Sequence, residues 1–399
     1  MKKIVLTIAV ALFTTVSFSQ KKNVTSAAVT YQSAQKNRTD IPTYTKELME
    51  AKESIDLALA HPDTKEDPKA WMYKGKIYIE LGMALAMSDG SAYPGMSSEE
   101  LAEEGFNALI HSKEVDTKEA YVDDVNDYAQ MYRALLSNAG IEAYTAEDYK
   151  TAMEGLIGAA EFGKLIGIKD SNFYYYGGSA AMQIKDYAMA EEAFTNCVNW
   201  KFNLGECVGY LAIAMKENGK PEEAEAMLKK AVDENPDNID VLIHATNFYI
   251  DKKDFAQAVS TIESAIKLDP SNKVLHYNAG VLYESMEKFD EAEAAYKKTL
   301  LLDPAYTDAK YSLGVFYFNR GADMNNEAND LEFGDPKYDV MIAKSKEIWE
   351  KNSLPYLEDA AKDMPEDVII LEALKTVYGK LSMTDKFMET KKRIAALEG

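Results

Sequence analysis

A chain of 399 residues, 47% of them apolar and 28% charged, is long enough to bury an extended core. Its 44 basic residues against 66 acidic ones leave a net charge of −22. That field opposes phosphate backbones and anionic lipid headgroups, so nucleic-acid binding is disfavoured.

At the N-terminus, Lys2 and Lys3 precede an apolar run from Ile4 to Val16, followed by Ser17-Phe18-Ser19 and Gln20. So short a run, with small residues three places and one place before Gln20, predicts a cleaved secretory signal over residues 1–19; an uncleaved signal anchor is the alternative. The expected mature chain starts at Gln20, carries a net charge of 42 − 66 = −24, and is soluble in the periplasm or another exported compartment. The first cysteine is Cys197, so a lipid anchor at the cleavage point is not expected.

Residues 20–170 read as divergent helical repeats. Ala51, Ile55 and Ala58 mark a second helix, with Pro42 interrupting the helix before it, and Trp71, Gly75 and Tyr78 mark the next first helix. That helix runs toward Met87, a loop follows over 88–95, and Ser97 with Glu100 forms a capping box for a lengthened partner helix. Arg133 to Ile166 repeats the pattern with Gly140, Tyr149, Ala152, Leu156 and Ala159.

Residues 171–306 hold four units in strict register, opening at Ser171, Gly205, Ile239 and Lys273. Pro236, Pro270 and Pro304 stand 34 residues apart; Ala224, Ala258 and Ala292 share one place in the period, and Leu228, Ile262 and Tyr296 share another. A helical hairpin of this length cannot bury its own apolar face, so the units must stack. Downstream, residues 307–367 form a repeat with 27 surplus residues between its two helices, broken at Phe333-Gly334-Asp335-Pro336, and 368–399 close the array. The fold class is all-α, with two elongated hairpins.

The unit from Lys273 to Tyr306, with Gly280 and Tyr283 on its first helix and Ala292, Tyr296 and Pro304 on or after its second, resembles a tetratricopeptide repeat. The resemblance implies an α-α superhelix that acts as a protein-interaction scaffold and lines its concave face with places 2, 5, 9, 12 and 13 of each first helix. Those places hold Asn172, Tyr175, Ser179, Asp240, Ile243, Asn247, Tyr277, Val281, Glu284, Asp308, Tyr311, Val315 and Phe318. Such a surface suits an extended peptide, through tyrosine stacking and amide hydrogen bonds. One subset of the family grips a terminal carboxylate with Lys and Arg at matching places; here only Lys216 remains, so that mode is not expected.

Cys197 and Cys207 fall on helices that pack together in this register, and either a disulfide or two thiols filling tight places fits them. His61, His111, His244 and His276 are scattered, and no nucleophile elbow, phosphate loop or metal motif is present, so neither an enzyme nor a cofactor is expected. Two rival readings stand: a glycan-binding accessory protein of the SusD type, and an envelope component that self-assembles through Leu331 and Phe333 at the tip of the second elongated hairpin.

Overall fold

The computed structural model describes residues 21–88 and 95–398. The expected signal over 1–19 and most of the 88–95 loop lie outside them. Helices are the only regular structure among the described residues, and they form two compact units, Met1–Asn196 and Cys197–Gly399.

In the first unit a helix over 21–36 (α1) is followed by α2 (Ile41–Leu59), α3 (Pro68–Ala86), α4 (Ser98–Val115), α5 (Val122–Thr145), α6 (Tyr149–Leu165), α7 (Ser171–Gln183) and α8 (Tyr187–Asn199), whose last turn crosses the unit boundary. Pro42 does not interrupt a first helix. It sits in the opening turn of α2, where its missing N–H costs no hydrogen bond, and Asp40 caps that turn. Ser97 caps α4, with the Glu100 N–H donating to Ser97 Oγ at 3.2 Å. α5 begins eleven residues ahead of the expected Arg133.

The second unit runs α9 (Leu204–Glu217), α10 (Pro221–Glu234), α11 (Ile239–Asp251), α12 (Phe255–Leu268), α13 (Lys273–Ser285), α14 (Phe289–Leu302), α15 (Thr307–Asn329), α16 (Lys337–Ile348), a π-turn (Trp349–Ser353), α17 (Leu354–Asp363), α18 (Val368–Lys380) and α19 (Thr384–Glu398). Consecutive helices pair as hairpins and each pair packs on the next. One continuous core takes Leu228 and Ala231 from α10, Leu242 and Ala245 from α11, Ile262 from α12 and Leu275 from α13. These are the period's apolar places, all nearly or wholly buried. Burying each of these Leu and Ile side chains is worth about 1.5–3 kcal/mol, which no hairpin could realise alone.

Two devices recur with the repeat. Place 15, counted from the first residue of each unit, is left-handed in six hairpins: Glu147, Lys185, Gly219, Lys253, Glu287 and Ser382 have φ between 57° and 78°. The next N–H then donates to the carbonyl at place 11, as from Asp254 to Tyr249, Lys288 to Tyr283 and Met383 to Tyr378, each at 2.9 Å. That bond closes the first helix and turns the chain into the second. Place 11 is also a tyrosine latch to the preceding hairpin. The hydroxyls of Tyr283, Tyr317 and Tyr378 donate to Glu263, Glu293 and Glu358 at 2.6, 2.8 and 2.8 Å, and in the first unit Tyr78 donates to Asp56 at 2.5 Å.

Candidate binding groove

First helices carry the candidate groove residues, and their small residues set how closely the second helices approach. A Cβ on Gly280 would stand 2.6 Å from the Tyr296 ring, and one on Gly314 would stand 2.7 Å from Leu357 Cγ. Pressed back this way, α13 and α15 leave places 5, 9, 12 and 13 on their open side.

In the second unit, a cleft of about 460 Å³ is walled by Tyr311, Val315, Phe318 and Asn319 of α15 and by Ile369, Glu372 and Thr376 of α18. In α15 these are places 5, 9, 12 and 13, and in α18 they are places 2, 5 and 9. Tyr311 and Phe318 therefore meet in one cavity. Burial raises the Tyr311 hydroxyl pKa, with Asp367 and Tyr277 adding to it, so the group stays a neutral donor at physiological pH. Phe318 stacks on Trp349, with centroids 5.9 Å apart. Tyr277 reaches Ser312 Oγ with its hydroxyl at 3.2 Å and lies 5.3 Å from the Tyr306 ring, so part of it serves packing. Val281 is exposed, as are Asp240 and Asn247, while Ile243 is half-buried against the core.

Polar groups around this face are partly committed. Glu284 accepts from the Tyr296 hydroxyl at 2.8 Å, and Lys216 is paired with Asp251 at 3.0 Å. The one cation at a clamp place is thus already neutralised. His244 presses on Gly209, whose Cβ would fall 2.4 Å from its ring, and burial lowers its pKa, although Asp240 and Glu206 oppose that shift. It stays a neutral packing group near pH 7.

In the first unit, Asn172 joins Ile141, Tyr144, Thr145, Phe173 and Tyr176 around a cleft of about 440 Å³. Tyr175 turns from it and meets Tyr176 and Phe194 edge to face, and Ser179 donates to the Tyr175 carbonyl at 2.8 Å. A further cleft of about 340 Å³ escaped the sequence reading. Met83, Met87, Met131 and Leu135 wall it, above the Arg38–Glu80 pair at 2.9 Å. Buried Glu80 also accepts from Tyr31 at 2.7 Å, from Gln35 at 2.5 Å and from Tyr44, which ties α1 and α2 to α3. Arg38 precedes the repeat pattern and Met131 precedes Arg133, so the period gave no sign of either. The α18 residues were missed because 368–399 was read only as the segment closing the array, although Pro365 precedes α18 as Pro270 precedes α13, and Asp367 caps α18 as Asn272 caps α13.

Cys197 and Cys207 are both buried, with no disulfide between them. Contact with the Cys197 sulfur, followed by burial, pushes the Cys207 thiol well above its ordinary range.

The tetratricopeptide-repeat family model matches residues 215–277 and 249–304. Among curated proteins none matches significantly. Solved structures similar to this chain include a TPR repeats protein from Bacteroides fragilis NCTC 9343, at 24% identity over 62% of this chain and 98% of that one, with a TM-score of 0.32. The C-terminal part of a TPR repeat-containing protein from Cytophaga hutchinsonii is 15% identical over 65% and 93%, with a TM-score of 0.47. YrrB, titled a TPR protein with an unusual peptide-binding site, is 19% identical over 44% and 88%, with a TM-score of 0.33. The family model rather than these distant likenesses identifies the repeats, and repeats of this kind are generally scaffolds without enzymatic activity. Residues 215–304 of the chain are tetratricopeptide repeats.

Proposed function

We propose that this protein is a non-enzymatic scaffold of the cell envelope that holds an extended segment of a protein partner along the first helices of its second unit. One observation carries the reading: α15 and α18, far apart in sequence, both turn first-helix places toward a single cleft, with places 5 and 9 contributed by each. The cleft is apolar, with the Tyr311 hydroxyl and the Glu372 carboxylate at its wall, and Val281 and Tyr277 continue that face on α13. This suits apolar side chains of a partner alternating with main-chain amides, with Tyr311, Asn319 and Thr376 available to hydrogen-bond them. Asn172 marks a corresponding role for the first unit. The basic and apolar pattern of residues 1–19 supports an exported location.

The test uses the mature chain to capture its partner from native envelope extract. Tyr277→Ala with Tyr311→Ala, and independently Ile369→Glu, should each weaken capture about tenfold or more while helicity is unchanged. Equal capture by both variants would remove this groove from consideration.

A further inference from the structure

α15 is 23 residues long where α13 has 13, and the 23 − 13 = 10 extra residues carry it about 15 Å further along its axis. α16 returns along it and packs chiefly on α15 and the π-turn, so this arm stands clear of the regular hairpins of its unit. Its base is rigid. Trp349 is buried against Gly321, its indole N–H donates to the Phe318 carbonyl at 2.9 Å, and Ser345 Oγ donates to the Gly321 carbonyl at 2.8 Å. The tip is a defined turn. Gly334 has φ 90°, and Asp335 accepts from the Lys337 N–H at 2.8 Å.

On that rigid arm Phe333 is completely exposed, at 109% of its reference area, with Tyr338 and Val340 exposed beside it. Between Ala322 and Val340 there are six carboxylates, Asp323, Glu327, Asp330, Glu332, Asp335 and Asp339, against Lys337 alone, a net charge of 1 − 6 = −5. None of the six meets a cation within ion-pair distance among the described residues. We infer that the arm is a docking element whose Phe333 inserts into an apolar socket rimmed by Lys and Arg on a partner protein. Charge selects this occupant. A second copy of a chain with net charge −22 would set two acidic tips or faces against each other, and an anionic lipid surface would repel the tip. The stem brings the aromatic to its partner already ordered, which lowers the entropic cost of docking.

The test places the photocrosslinker p-benzoylphenylalanine at position 333 of the full chain in its native envelope and maps the crosslinked residue by mass spectrometry. The inference expects a crosslink to an apolar residue of another protein that is flanked by Lys or Arg. Its yield should fall about tenfold in Glu332→Lys with Asp335→Lys, and should fall as salt rises. Unchanged melting of the charge variant separates lost docking from lost folding. A crosslink to a second copy, a crosslink to lipid, a yield indifferent to charge reversal, or no crosslink would each overturn it.

Discussion

Lys253 holds φ at 61° in the turn between α11 and α12, a conformation that costs a residue with a side chain about 1–2 kcal/mol. Lys253→Gly should therefore stabilise the second unit, by up to about 1 kcal/mol once the extra unfolded-chain entropy of glycine is subtracted. Gly219→Ala, at the matching place with φ 78°, should destabilise it by about 1 kcal/mol. Urea midpoints of the two variants check both signs, and movement in the same direction would contradict the shared turn geometry. This turn recurs six times and was invisible in the sequence, because only one of its six residues is glycine; the backbone hydrogen bond to place 11 holds the others there. The buried cysteines give a chemical readout at the same scale. Without reductant, iodoacetamide should add nothing to the native chain and two groups after unfolding in denaturant, whereas a bridged chain would add none until reduced.

The base of the long hairpin shows why an element can be foreseen while its anchoring is not. Two helices broken at Phe333–Pro336 were legible from the surplus residues and from Gly334 and Pro336. What fixes them is Trp349 over Gly321, a contact made across the surplus length and outside the period. Trp349→Ala should cost about 3–5 kcal/mol, read as a loss of thermal stability. Phe333→Ala, at the bare tip, should leave the melting temperature where it was. The N-terminal elements are tied differently. Glu80→Ala strips the acceptor from the buried hydroxyls of Tyr31 and Tyr44, and should destabilise the first unit by about 3 kcal/mol. No residue spacing announced that network, since its members lie on three helices and the turn between α1 and α2, and Tyr31, Gln35 and Arg38 precede the legible repeats.

At the scale of the molecule, each unit is a stack whose cohesion comes from neighbour burying neighbour, so the period that sets the core also sets the groove. That is why part of the cleft's lining could be read in advance. Tyr311 and Phe318 follow from place numbers alone, whereas Ile369, Glu372 and Thr376 needed the closing hairpin in three dimensions to show that α18 stands as the opposite wall. Hydrogen exchange on the full chain, with and without its captured partner, tests the central claim most directly, because it reports every first and second helix at once. Slowed exchange should fall on α13, α15 and α18, with α12 and α14 unaffected. Protection confined to the second helices, or none on α15 and α18, would contradict the account.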